Sequence, residues 1–185
     1  MKTLLHVGYP KCGSGFLQKE VFPRLPINVI SSEYICGNTF YKKAHYGLLD
    51  RYDIIKAYKN KYPNAYVLLI IRDRDELIDS LYSQSMRNRY SYSYNEYVTE
   101  ILDKELLDFD KYIIFLNTLW DNVLVLDFKD FKVHKHKFIK DICNFVGIQN
   151  VVFDDVTYNK RFGKMRLFVN RYLNSFYWNF KKIIN

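Results

Sequence analysis

Short apolar runs alternate with longer segments of helical periodicity along this chain of 185 residues. Runs of strand length predict four β-strands, at residues 3–8, 28–30, 65–71 and 122–127. The third run is unbroken and the fourth is nearly so, which is typical of interior strands in a parallel sheet that is covered on both faces. The second run ends in the polar residues Ser31, Ser32 and Glu33.

Helical periodicity fills the segments between these runs. The predicted helices cover residues 13–22, 40–62, 75–88, two segments between 94 and 120, residues 137–146 and residues 166–184. Strands that alternate with helices imply right-handed crossovers and a parallel sheet. We therefore predict an α/β fold of three layers, with a central parallel sheet flanked by helices. Because no linker composition divides the chain, we expect one domain over residues 1–185.

The first predicted strand leads into a turn with the sequence Gly8-Tyr9-Pro10-Lys11-Cys12-Gly13-Ser14-Gly15. A strand that ends in a glycine-rich turn and opens a helix forms an anion site, because the first N–H groups of the helix lack intrahelical partners. The ATP-binding P-loop has its lysine directly after the second glycine, followed by Ser or Thr. Here Lys11 precedes Gly13, which argues for a phosphate-bearing donor other than a nucleoside triphosphate with magnesium.

A second candidate anion-binding group follows the 65–71 strand. Arg72 comes directly after this strand, and Ser80 lies in the helix that follows. A forked guanidinium with a hydroxyl nearby can hold a second phosphate. The alternative is a surface ion pair of Arg72 with Asp73 or Asp75. Ligands of parallel sheets bind at the carboxyl ends of the strands, so we expect Arg72, Glu33 and the first loop at one edge of the sheet.

Together, the two motifs resemble those of the sulfotransferases. Residues 9–14 are similar to the 5′-phosphosulfate loop of that family, usually written P-K-[TSC]-G-[TS]-[TS], and residues 69–82 are similar to its 3′-phosphate motif. Residues 123–131 and 145–148 resemble later segments of bacterial members that act on carbohydrates. The resemblance implies a P-loop-like fold and transfer, without a metal, of a sulfuryl group from 3′-phosphoadenosine 5′-phosphosulfate (PAPS). The implied acceptor is a hydroxyl or amine of a carbohydrate or glycolipid.

The resemblance also implies roles for individual residues. Lys11 would neutralise the charge that develops on the leaving 5′-phosphate. The implied donor-binding residues are Lys11, Cys12, Gly13, Ser14, Gly15 and Phe16 at the 5′-phosphate, and Arg72, Ser80 and Lys164 at the 3′-phosphate. Glu33 is the first candidate for the base that accepts the acceptor's proton, and His45 is the second. The chain departs from the family at Gly15, usually Thr or Ser, and at Arg74, often Pro.

Composition leaves other functions open. The net charge of +8 favours an anionic partner, although compositional bias would also explain it. A metabolite kinase would share the strand–turn–helix start, and a basic module would bind nucleic acid or a membrane without catalysis. We favour a nucleotide over nucleic acid because of the two motifs. A phosphatase with Cys12 as its nucleophile would need an arginine six positions later, where this chain has Gln18.

Location is inferred from cysteines and from the N-terminal residues. Cys12, Cys36 and Cys143 form no CxxC motif and no zinc-like pairing with histidine, so we expect neither a disulfide framework nor a metal site. His6 and Gly8 interrupt the N-terminal apolar run before a secretory signal or a membrane span is complete. We therefore expect a cytoplasmic protein.

The last predicted helix, residues 166–184, combines aromatic and aliphatic residues with Arg and Lys. A basic amphipathic helix of this kind can lie on an anionic membrane, which would suit a glycolipid acceptor and place the protein at the inner face of the membrane. The alternatives are packing on its own domain or on a second subunit. The acceptor and the oligomeric state stay open.

Overall fold

The computed structural model describes residues 1–36, 50–156 and 164–184, with side chains described over 166–177 of the last range. Among these residues, four parallel strands form one sheet: β1 (Thr3–Gly8), β2 (Asn28–Ser32), β3 (Tyr66–Ile71) and β4 (Val123–Asp127). Their order in the sheet is β2-β1-β3-β4. The predicted parallel α/β architecture is confirmed.

The burial of each strand follows from its place in the sheet. β1 and β3 are central, and most of their side chains are buried. β2 and β4 lie at the two edges of the described sheet and are half-buried. The prediction that residues 122–127 form an interior strand is therefore wrong. Helices that pack against β4 keep its apolar residues from water, so an apolar run of this length does not distinguish an edge strand from a central one.

Helices occupy most of the remaining described residues. They are α1 (Ser14–Phe16), α2 (Arg51–Lys61), α3 (Arg74–Arg87), α4 (Tyr94–Glu96), α5 (Phe109–Leu119), α6 (Phe128–Val133), α7 (Lys135–Phe145) and α8 (Lys164–Ile184). The predicted 13–22 helix is α1 continued by a π-helical turn, Leu17–Val21, and a 3₁₀ turn, Phe22–Arg24. α2 covers the second half of the predicted 40–62 helix, and residues 40–49 lie outside the described residues.

Two further differences concern short elements. The two helices predicted between residues 94 and 120 are the three-residue α4, extended by a π-helical turn at Tyr97–Ile101, and the longer α5. α6 was not predicted. It begins directly after β4 because the Asp127 carboxylate accepts a hydrogen bond from the Lys129 amide at 2.7 Å and so caps the helix.

The topology places a crevice between β1 and β3. The chain leaves β1 for β2 on one side and then returns to β3 on the other side, so the direction of the crossovers reverses between these two strands. At such a switch point the connections diverge and leave room for a ligand. Gly8, the last residue of β1, lies opposite Ile70, so the loop after β1 and the residue after β3 reach the same edge.

A buried arginine anchors the start of that loop. Arg51, the first residue of α2, is only 4 % exposed and donates a hydrogen bond to the Tyr9 hydroxyl at 3.1 Å. It also donates to the carbonyl oxygens of Glu105 and Leu106 at 3.0 and 3.3 Å. Its guanidinium lies 4.5 Å from the centre of the Tyr112 ring. These contacts tie the loop after β1 to α2 and to the segment before α5.

We expect Arg51→Met to lower the free energy of unfolding by about 3 kcal/mol or more, because the hydroxyls of Tyr9 and Tyr52 and two carbonyl groups lose their donor. The matched control is Arg74→Met, since Arg74 is more than half exposed, and its effect should stay within about 0.5 kcal/mol. Chemical denaturation followed by circular dichroism measures both values. Equal effects of the two substitutions would contradict the anchoring role of Arg51.

Candidate functional site

A cavity of about 690 Å³ opens at the carboxyl ends of the strands. Its walls come from the loop after β1, the residue after β2, the residue after β3, α3 and the segments after β4. The cavity brings together most of the residues singled out from the sequence: Lys11, Gly13, Ser14, Gly15, Phe16, Glu33, Arg72 and Ser80. Cys12 is buried and does not line it. His45 and the side chain of Lys164 lie outside the described residues.

The loop after β1 depends on two residues in the left-handed region of backbone conformation. Gly13 has φ 85°, and a Cβ atom at this position would lie 3.1 Å from the Phe128 ring, so the position requires glycine. Its carbonyl oxygen accepts hydrogen bonds from the amides of Phe16 and Leu17 at 3.0 and 3.1 Å, which starts the helix. Lys11 has φ 68° although it is not a glycine. Such strain is concentrated at functional sites.

Arg72 lies beside this loop. Its Nη1 donates to the carbonyl oxygen of Lys11 at 2.9 Å, and its Nε and Nη2 donate to Oε2 of Glu76 at 3.1 and 3.0 Å. Lys132 Nζ donates to the same oxygen at 2.8 Å. The Phe128 ring lies 4.9 Å from the guanidinium. One carboxylate is therefore shared by two cations at the edge of the cavity, and the group of three keeps a net positive charge.

The alternative expected for Arg72, a surface ion pair with Asp73 or Asp75, is wrong. The partner is Glu76, one helical turn further on, and only 13 % of the Arg72 side chain is exposed. Asp73 instead caps α3 by accepting a hydrogen bond from the Glu76 amide at 2.9 Å. Capping fixes the first turn of α3 next to the loop.

Three basic residues at the cavity were missed by the sequence reasoning: Arg87, Lys132 and Lys135. Arg87 lies two helical turns after Ser80 on α3, so helical spacing from Ser80 would have identified it. Lys132 and Lys135 lie in α6 and at the start of α7. Their position depends on α6, for which the hydrophobic pattern gives no signal.

The cavity is positively charged. Its basic side chains are Lys11, Arg72, Arg87, Lys132 and Lys135, and Glu33 is the one acidic residue among the described residues that line it. Burial lowers the pKa of the Lys11 ammonium, and the nearby Arg87 guanidinium lowers it further. Lys11 Nζ lies 3.4 Å from Oε1 of Gln84 on α3. These charges suit a ligand with several negative charges.

Glu33 adds a carboxyl group to the same cavity. It begins a 3₁₀ turn, Glu33–Cys36, directly after β2. Burial raises the pKa of this carboxyl, whereas a hydrogen bond with Ser14 and the charge of Lys11 lower it. A carboxylate of raised pKa accepts protons more readily, so Glu33 can act as a base beside Lys11.

Cys12 has the environment of a structural residue. Its side chain is 1 % exposed, and burial raises the pKa of its thiol, which keeps it protonated. A phosphatase nucleophile must be a thiolate in contact with the ligand. The interpretation of Cys12 as a small residue in a turn is consistent with this burial.

The strain at Lys11 can be separated from its charge. We expect Lys11→Gly to be more stable than Lys11→Ala by about 1 kcal/mol, because glycine adopts a positive φ without steric cost. At Lys56, in the middle of α2, the order should reverse, and the glycine variant should be less stable than the alanine variant by about 1 kcal/mol. Thermal unfolding of the four variants tests this. The same order at both positions would refute the strain.

Comparison with known proteins adds one finding on the fold. No protein-family model matches the chain, and no curated protein does. Among solved structures, the fold is similar to the crystal structure of a sulfotransferase from Alicyclobacillus acidocaldarius, with a TM-score of 0.62 and 15% sequence identity over 87% of each chain. The central parallel sheet flanked by helices is thus an architecture that a sulfotransferase also has.

Proposed function

We propose that this protein is a sulfotransferase that moves a sulfuryl group from PAPS to a hydroxyl or amine of a carbohydrate or glycolipid acceptor. The observation that carries the proposal is that Lys11 and Arg72, distant in sequence, meet at one cavity, with Arg72 Nη1 only 2.9 Å from the carbonyl oxygen of Lys11. The two motifs that resemble sulfotransferase motifs and the similar fold support the same assignment.

The charges of the cavity fit a donor with two separate anionic groups. In the proposed complex, Lys11 and the loop amides hold the 5′-phosphate, and Arg72 and Ser80 hold the 3′-phosphate. Lys132 also contacts the 3′-phosphate in this proposed complex, because it already shares the Glu76 carboxylate with Arg72. Arg87 extends the positive wall along α3 towards Lys11. A 3′-phosphate is the feature that distinguishes this donor from ATP.

The proposed reaction is an in-line displacement. The donor, when bound, supplies the sulfuryl group and a phosphate leaving group. The Lys11 ammonium stabilises negative charge on the leaving oxygen as the S–O bond breaks. Glu33 accepts the proton of the attacking hydroxyl or amine as the new bond to sulfur forms. The described cavity holds both groups, and the positive charges around them replace much of the charge neutralisation that a metal supplies in other transfers.

Donor recognition is tested with two nucleotides that differ only at the 3′ position. We expect adenosine 3′,5′-bisphosphate to raise the melting temperature more than adenosine 5′-monophosphate does. Arg72→Ala should weaken binding of the bisphosphate about 10- to 100-fold, because it removes charge-assisted hydrogen bonds. It should weaken binding of the monophosphate much less, through the lost hydrogen bond to the Lys11 carbonyl oxygen. Lys11→Ala should weaken both nucleotides.

Matched controls are Arg74→Ala and Lys140→Ala. Arg74 points to Asp110, with the two charged groups 3.8 Å apart, and Lys140 is exposed on α7. Neither residue lines the cavity. Equal stabilisation by the two nucleotides, or an equal loss of both in Arg72→Ala, would refute the assignment of the 3′-phosphate site. Isothermal titration calorimetry gives the dissociation constants.

The role of Glu33 is tested by the pH dependence of kcat/KM with PAPS and a carbohydrate acceptor. Activity should rise with pH as Glu33 loses its proton, and burial shifts this rise above the pKa of an ordinary glutamate. At higher pH, activity should fall as Lys11 loses its proton. This fall should begin at a lower pH than for an ordinary lysine, because the pKa of Lys11 is lowered. Glu33→Gln should abolish the rise and reduce kcat about 10²- to 10⁴-fold.

Glu33→Asp should keep the acidic limb of the profile, and Glu100→Gln, at an exposed position, should leave the whole profile unchanged. If Glu33→Gln retains the acidic limb, the base is another group, and His45 is the next residue to replace.

A further inference from the structure

α8 presents apolar side chains to solvent along one side. Phe168, Tyr172, Leu173 and Phe176 are each 60 to 73 % exposed. Their spacing places them on one face of a helix with 3.6 residues per turn. We call these four residues the apolar stripe. A run of exposed aromatic and aliphatic side chains of this length is unusual on the surface of a monomeric protein and marks an interaction site.

The opposite side of α8 packs on the domain through polar groups and through Leu167, which contacts the hydrophobic core. Asn174 is 8 % exposed, and its Nδ2 donates to the carbonyl oxygens of Met86 and Tyr90 at 2.9 and 2.7 Å. Arg171 Nε donates to the carbonyl oxygen of Ser91 at 3.3 Å. The described inward face is thus mainly polar, whereas the usual amphipathic helix packs its main apolar face on the core. The apolar stripe is therefore not needed to hold α8 in place.

The charge of α8 indicates what covers the stripe. The helix sequence contains Lys164, Arg166, Arg171, Lys181 and Lys182 and no acidic residue. A second copy docked through the same face would bring two such helices together, and their like charges would repel. An anionic lipid surface complements both properties, because it accepts apolar side chains and attracts Lys and Arg.

Length and hydropathy together decide whether a helix lies on a bilayer or crosses it. None of the helices in the described part of the chain, α8 with its 21 residues included, has the length and hydropathy that crossing a membrane requires. A helix with one exposed apolar face and several positive charges instead lies in the plane of the interface, with its apolar face among the lipid headgroups.

We propose that α8 is a docking surface for anionic membranes, in which the apolar stripe enters the headgroup region and the net positive charge of the helix attracts the lipid phosphates. The inference is independent of the proposed catalytic function, since it uses no residue of the cavity. It has a consequence for that cavity. α8 packs on α3, which also carries the cavity residues Ser80 and Arg87, so docking would hold the cavity close to the bilayer surface.

The test is flotation of the full chain with two kinds of vesicle, phosphatidylcholine alone and phosphatidylcholine mixed with phosphatidylglycerol, without nucleotide. We expect binding to the mixed vesicles that weakens as salt increases, because the lipid and protein charges are then screened. Leu173→Ser and Phe176→Ser should each weaken binding about tenfold, and the double variant about 100-fold, because apolar area no longer enters the interface.

Ile114→Ser is the matched control. Ile114 is 66 % exposed on α5, so the substitution removes an exposed aliphatic side chain elsewhere and should leave vesicle binding unchanged. Circular dichroism of each variant shows that the fold is kept.

Three results would overturn the proposal: equal binding to neutral and anionic vesicles, no effect of the double variant, or no binding at all. Analytical ultracentrifugation tests the competing explanation, in which the apolar stripe binds a second copy of the chain. A dimer that the double variant dissociates, in a chain that does not float with vesicles, would assign the stripe to a second copy.

Discussion

The parallel pairing of β1 with β3 is the constraint on which the site depends. With Gly8 opposite Ile70, both strands end at the same level, and the chain then turns away from the sheet in two directions. The hydrogen bond from Arg72 to the Lys11 carbonyl at 2.9 Å is a direct result. A slip of one residue would exchange the side chains that β1 or β3 packs on the two faces of the sheet, so the register is held by the packing of both buried faces.

Much of this arrangement was predictable because its signals are local. The 65–71 run is apolar throughout, and Arg72 follows it directly, so the position of the guanidinium at a strand end could be inferred from neighbouring residues alone. The turn around Gly13 was equally recognisable. The ion-pair partner of Arg72 was not predictable in this way. Glu76 binds Arg72 because the cap at Asp73 orients the first turn of α3, whereas the sequence suggested only the two nearer aspartates.

The rest depends on packing between distant segments. The edge position of β4 and the helix α6 bring Lys132 and Lys135 to the cavity, and no local pattern predicts them. α8 is a clearer case. Its amphipathic character is visible in the sequence, but periodicity alone would assign the apolar face to the core. Two carbonyl oxygens, one in the last turn of α3 and one just after this helix, accept hydrogen bonds from Asn174 and favour the opposite orientation, although they are far from α8 in sequence.

The Glu76 carboxylate has a consequence for the protein before any ligand arrives. Basic side chains gathered in one cavity repel each other and oppose the compact state. By accepting hydrogen bonds from both Arg72 and Lys132, Glu76 serves as an internal counter-ion that offsets part of this repulsion. It also lowers the net attraction that an incoming anion experiences at this end of the cavity. Glu76 thus stabilises the fold of the ligand-free protein and, by the same contacts, weakens the binding of an anion.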